Sequence, residues 1–209
     1  MRHFILLIIC LSLSACIGVN KTRQNMIVYD FGLTVPSKNQ QLITLKIPVE
    51  EISTAEALNH SKMRYRLNYQ NPARVFSYSE SRWTSTPSEL LASQLSTLSS
   101  LAPLANDTPL QNPNNKSANC SLKLKIETFD HVFQSASISE GIVQLNASLI
   151  EKKSKQIIAN QLITESVSSA TPDAQGGAGA LQKASENALR TAINWGNMMS
   201  EKNSLCDSK

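Results

Sequence analysis

Histidine is scarce in this chain, three residues in 209, and His3 belongs to an apolar N-terminus. Only His60 and His131 remain for the body of the chain, and neither has a metal-binding partner at ligand spacing, which argues against a zinc site. No metal or cofactor is implied by any motif. No serine sits in a nucleophile-elbow pattern, and a Ser-His-Asp set can be recognised only once the fold brings its members together. No catalytic residue is assigned, and a non-enzyme is expected. The run Gly176-Gly177-Ala178-Gly179 lacks the Lys-Ser/Thr ending of a phosphate loop and the Gly-x-Gly-x-x-Gly spacing, so it reads as a flexible start to a helix. A strong charge of one sign is also missing. The formal net charge is +4, too small for a nucleic-acid footprint. Finally, the longest apolar stretch, Phe4 to Leu13 with Ser12 within it, is well short of the roughly 20 residues a helix needs to cross a bilayer.

What is present begins at that stretch. Arg2 and His3 precede it and the small residues Ser14 and Ala15 close it, the layout of a signal peptide over residues 1–15. Leu13-Ser14-Ala15-Cys16 resembles the bacterial lipobox, a branched apolar residue and two small residues before an obligatory cysteine. The Cys16 thiol would take a diacylglyceryl group, a peptidase would cut before it, and the new amino terminus would be acylated by a fatty acid such as palmitate. Several buried acyl chains, at about 0.8 kcal/mol per methylene, anchor stably where one chain is marginal. Ile17 follows where an inner-membrane retention signal would have Asp, so the expected address is the periplasmic face of the outer membrane. Residues 16–25 then form the lipidated cysteine and a polar tether, reaching at most about 3.5 Å per residue. Cleavage removes only Arg2 among the charged side chains and leaves a length suited to one domain.

Cysteine is sparse too. Of four, Cys10 leaves with the signal and Cys16 carries lipid. Cys120 and Cys206 remain, and the periplasm can oxidise such a pair. A bridge would staple the C-terminus to a strand start; the alternative is two separate thiols, one buried and one in a mobile tail.

Along the body, Met26 to Phe31 is the first strand candidate and Leu42 to Ile47 the second. Met63, Tyr65, Leu67 and Tyr69 alternate, Asn71-Pro72 turns, and Val75, Phe76 and Tyr78 resume, which predicts a hairpin with Arg64 and Arg66 on its other face. Thr86-Pro87-Ser88-Glu89 is a capping box with proline at the first helical position, and Leu91, Leu95 and Leu98 stripe a helix over about 87–101. Residues 102–118 are rich in Pro and Asn and read as a long surface loop. Leu122, Leu124 and Ile126 against Lys123, Lys125 and Glu127 mark a half-buried strand. Strands over 143–149 and 157–167 follow, joined antiparallel through a basic turn at Lys152 to Lys155, which reads as solvated. Thr171-Pro172 caps a last helix through about Met199, with Leu181, Ala184, Ala188, Ala192 and Trp195 on one face. Trp83 and Trp195 are expected in the core, with Trp83 the better candidate to mark an interface. The domain is therefore expected over 26–199, with a loose polar tail over 200–209.

The mature region resembles the ABC-type transport auxiliary lipoproteins, the PqiC-like family. The resemblance rests on the lipobox, Tyr29-Asp30-Phe31-Gly32, and the Tyr65-Arg66 strand leading through Tyr78 and Arg82-Trp83 to the Pro87 helix with its paired leucines. A strand ending in Phe129-Asp130 and a closing helix bearing Trp195 complete it; Trp83, Pro87 and Trp195 are structural marks rather than catalytic residues. It implies a single α+β domain, a mixed and largely antiparallel sheet packed by two main helices, similar to the N-terminal domain of TolB. It also implies a non-catalytic role beside an ABC ATPase, a permease and an MCE-domain protein that moves lipid across the envelope, with ring-like self-association suiting a channel-end position. The long loop at 102–118 departs from the family pattern. The competing readings are an outer-membrane assembly or adhesion lipoprotein and a lipid-binding carrier.

Overall fold

A computed structural model describes residues 25–32, 43–99 and 119–206. The signal peptide, Cys16, the tether up to residue 24 and the loop at 102–118 lie outside these residues.

Seven strands form one mixed sheet. Its spine is the antiparallel meander of β5 (Cys120–Phe133), β6 (Ser139–Glu151) and β7 (Ile157–Ser168). Leu122, Leu124 and Ile126 of β5 are fully buried, opposite Leu149, Ala147 and Leu145 of β6. The sequence pattern predicts that β5 ends at Glu127; it continues because a bulge between Ile126 and Thr128 inserts one extra residue. That residue reverses the phase of the alternation. Beyond it Phe129 and His131 join the inner face, while Thr128 and Asp130 turn to the other. The turn after β6 is tied down when the backbone N–H groups of Lys153 and Ser154 donate to the Glu151 carboxylate.

On the far side of β5 two strands run parallel to it end to end. β2 (Val49–Thr54) lies along its first half and β3 (Lys62–Leu67) along its last residues. β3 turns through Asn71-Pro72 into β4 (Val75–Trp83), and β1 (Ile27–Tyr29) adds in parallel at the end of β4. The order is β1-β4-β3-β5-β6-β7, with β2 also on β5.

Two helices cover one face. α1 (Pro87–Leu98) starts with the expected capping box: the Thr86 N–H donates to Glu89 Oε2 at 2.8 Å, with Pro87 in the first turn. Leu90, Leu91, Leu95 and Leu98 are buried beneath it. α2 (Ala174–Glu201) runs over β6, β7 and β5 and buries Leu181, Ala184, Ala188, Leu189, Ala192 and Ile193. Its cap differs from the Thr171-Pro172 expectation. Asp173 is the N-cap, accepting from the Gly176 N–H at 2.8 Å, and the Thr171 hydroxyl donates to the same carboxylate at 2.8 Å. A full negative charge complements the helix N-terminus better than a hydroxyl does.

The alanines let α2 sit close to the sheet, and Gly141 sets how close. A Cβ on Gly141 would fall 2.6 Å from the Leu181 backbone nitrogen. Backbone cannot yield as a side-chain tip can, so Gly141→Ala is expected to cost about 2 kcal/mol in urea unfolding by lifting the helix.

The expected strand at 42–47 is absent over its described part. Ile43, Leu45 and Ile47 are buried and Thr44 and Lys46 exposed, so the alternation is real. Among the described residues no strand pairs with it. The segment instead straps the helices: the Ile43 N–H donates to Leu98 O at 2.8 Å, while Asn197 of α2 accepts from the Lys46 N–H and donates to Thr44 O. An amide side chain with both donor and acceptor stands in for a strand edge. The paired strand begins only after Pro48.

The tail also differs from expectation. α2 continues to Glu201, and a 3-10 turn at Ser204–Cys206 brings Cys206 onto β5, where a disulfide joins it to Cys120 with Cα atoms 5.0 Å apart. Residues up to 206 are therefore part of the domain.

Candidate functional site

Trp83, the strand-end tryptophan, is 1% exposed. It packs edge-on against Phe31 at 5.8 Å and against Phe129 at 5.4 Å, so it is a core residue and presents no interface. Pro87 is buried at the head of α1, and Trp195 is half-buried at the margin of the core.

A second aromatic group lies at the other end of the hairpin. Tyr65 of β3 stacks on Phe76 of β4 at 5.1 Å, meets Tyr78 at 4.7 Å and touches Phe133 of β5 at 6.0 Å. Arg74 places its guanidinium 4.5 Å over the Phe76 ring. Tyr65, Phe76 and Tyr78 are only half-buried. These rings share the inner face of the sheet with Trp83; Tyr78 packs against the margin of the main apolar core, and Tyr65 and Phe76 lie beyond it. Half-exposed aromatic rings with an arginine over them have the composition of an interface.

The platform is braced from beneath by His131, which is fully buried. Tyr78 Oη lies 2.8 Å from its Nδ1 and Ser169 Oγ 3.0 Å from its Nε2. A neutral imidazole satisfies both, donating through one nitrogen and accepting through the other. Gly177 of α2 presses on the ring, since a Cβ there would come 2.4 Å from Nδ1. Gly176 and Gly177 thus serve close packing, while Gly179 faces open space. Burial pushes the His131 pKa down to about 4 against a smaller opposing pull from Asp173, and it pushes the Tyr78 phenol up. The structure therefore does bring a serine to a histidine, but with a tyrosine at the far nitrogen in place of a carboxylate. At neutral pH a ring with so low a pKa is a weak base. It is suited to bridging β4 and the α2 approach, not to proton transfer. His60 is half-buried and accepts from the Lys62 N–H within its own turn. Among the described residues no His, Cys, Asp and Glu group could hold a metal, and no helix is long and apolar enough to cross a membrane.

On the opposite face, Asp130 is fully buried between Arg64 and Arg66 of β3. Arg66 Nε donates to Asp130 Oδ2 at 2.6 Å and its Nη1 to Pro72 O at 3.0 Å, so the carboxylate fixes the hairpin to β5. Alternation in β3 puts both arginines on that face, but their partner lies far along the chain. Asp130→Asn keeps the shape but leaves two half-sheltered guanidinium groups facing a neutral amide. It is expected to cost about 2 kcal/mol, less than a wholly buried pair because the arginines retain some solvent; thermal unfolding measures it.

Two of the clefts among the described residues border α2. One of about 400 Å³ lies between the strap and α2, lined by charged and amide groups including Lys46, Arg190, Asn194 and Glu201. The other, about 360 Å³, lies at the head of α2 beside the end of β7. In the lysine turn Lys152 is half-buried while Lys153 and Lys155 are exposed, Lys155 making a long contact of 3.8 Å to Glu50.

Solved structures share this architecture. The crystal structure of a Xanthomonas campestris protein, described under the family model DUF330, aligns over 85% of this chain and 98% of its own with a TM-score of 0.62 at 16% identity. The crystal structure of an uncharacterized protein aligns over 84% of this chain and 99% of its own, with a TM-score of 0.50 at 9% identity. At such identities the likeness is one of fold. No curated protein matches. The family model of the ABC-type transport auxiliary lipoprotein component, in contrast, matches residues 32–192, most of the domain, from the residue after Phe31 into α2. The chain belongs to the ABC-type transport auxiliary lipoprotein family.

Proposed function

We propose that this protein is a non-catalytic auxiliary subunit of an ABC/MCE-type envelope lipid-transport system. It would be cut before Cys16, acylated there and held at the periplasmic face of the outer membrane, with one domain docking the far end of an MCE bridge. The observation that carries the reading is family membership over residues 32–192. An auxiliary role in ABC-type transport follows from it directly; the MCE partner, the lipid cargo and the outer membrane are the finer steps proposed here. The half-exposed platform of Tyr65, Phe76 and Tyr78 is the docking surface it offers.

Two measurements test this. Radiolabelled palmitate fed to cells should enter the wild-type chain and not Cys16→Ala, which would also stay unprocessed. Affinity purification of the lipidated protein from detergent-solubilised envelopes should recover an MCE-domain subunit. Recovery of surface or assembly proteins alone would replace this reading with the assembly or adhesion alternative, and co-purified stoichiometric lipid would favour a carrier.

A further inference from the structure

The edge of the sheet at β1 breaks two rules that strand edges usually obey. Met26, Ile27 and Val28 are consecutive, apolar and 48%, 51% and 45% exposed. Edge strands are normally blunted by charge, proline or a covering element. Behind them, Val28 is in register with Arg82, and Arg82 with Lys62, so two cations stand directly opposite each other on neighbouring strands. Like charges at that spacing repel. Neither has an acidic partner among the described residues; Glu80, the nearest acid in sequence, pairs with neither. The hairpin from 62 to 83 carries Lys62, Arg64, Arg66, Arg74 and Arg82 against Glu80 alone, and Lys21 and Arg23 lie just upstream of β1.

We infer that this edge rests on the membrane that holds the anchor: Met26 to Val28 enter the headgroup layer, and Lys62 and Arg82 face anionic phospholipid. The inference rests on the anchoring proposed above. The reason for choosing a lipid surface over a protein is where the chain leads. Nine residues lie between Cys16 and Met26, ten chain steps with a reach of at most about 35 Å, so β1 is the part of the domain that the anchor holds nearest to lipid. Unpaired cations beside apolar side chains match an anionic interface in both charge and polarity. The ring platform, at the opposite end of the hairpin, stays free for a protein.

The test uses the acylated protein in vesicles of phosphatidylethanolamine with phosphatidylglycerol, carrying an environment-sensitive fluorophore on Ile27→Cys or, separately, Val28→Cys. A label on Ile157→Cys, at the other edge of the sheet, serves as control. Lipids spin-labelled at the headgroup should quench position 27 or 28 several-fold more than 157. Lys62→Glu with Arg82→Glu, or omission of phosphatidylglycerol, should remove most of that difference, while circular dichroism reports an unchanged fold. Protein that floats with vesicles but quenches equally at all positions overturns the edge inference and leaves the anchor standing. Protein that does not float overturns the anchoring, and the edge inference falls with it.

Discussion

Replacing Cys120 and Cys206 together by alanine is expected to lower the unfolding free energy by about 4 kcal/mol. The bridge closes a segment of 86 residues in sequence separation, containing the whole β5-β6-β7 meander and α2. Loop-closure entropy for that length gives roughly 4.5 kcal/mol, and removal of native bridges measures 2–5 kcal/mol. Two structural facts place this bridge in the upper part of that span. Both cysteines are buried, so their loss also opens a small void, and the bridge fixes the end of α2 against the first residue of β5. Urea unfolding should show the wild type in reductant falling to the level of the double-alanine variant in oxidant. A larger denaturant slope should accompany it, because the unfolded chain without the bridge exposes more surface. Equal stability with and without reductant would show that the bridge closes no entropy-costly loop.

The second large effect is on pH. His131 ionises near 6.5 in an unfolded chain and near 4 in the fold, where desolvation dominates. Its folded pKa is depressed, so between those values the unfolded state binds more protons and stability rises with pH. The contribution is complete above about pH 7 and fades as pH falls from 6.5 toward 4. A difference of that size corresponds to on the order of 3 kcal/mol. The Asp173 N-cap has its own pKa lowered, chiefly by the Gly176 N–H, and its loss under stronger acid adds to the fall. The His131 part is isolated by subtracting the profile of His131→Gln, which keeps a polar group between Tyr78 and Ser169 but does not titrate. The difference should grow through pH 6.5 to 4 and be flat above 7. A flat difference throughout would mean that the imidazole is solvated, contrary to its burial beneath the ring platform.

Much of this was legible in the sequence, and the failures share a cause. The meander, both helices and the capping box at Thr86 follow from local periodicity and local hydrogen bonding, which the chain carries in short windows. The β5 extension carried a signal as well: apolar positions move from 122, 124 and 126 to 129, 131 and 133, and such a change of parity is the mark of a bulge. The segment from Ile43 to Ile47 shows the limit. Alternation reports one buried face, but a strand also requires a neighbour with free backbone groups, and here Asn197, far along the chain, takes that place. The Arg64–Asp130–Arg66 cluster and the His131 strut are likewise long-range, and nothing near Asp130 or His131 in sequence names their partners. The core expectation for Trp83 holds, and its candidacy as an interface mark does not. It is buried because β1 and Phe31 close over that end, whereas the rings left half-exposed belong to the hairpin start.

The reading of the platform as a docking surface is the central functional claim, and one measurement addresses it. A photo-crosslinking amino acid at Phe76, in cells expressing the lipidated protein, should capture an MCE-domain subunit on irradiation, while the same group at Asn160, on exposed β7, should not. Equal capture at both positions, or none at Phe76 with capture at Asn160, would contradict the account.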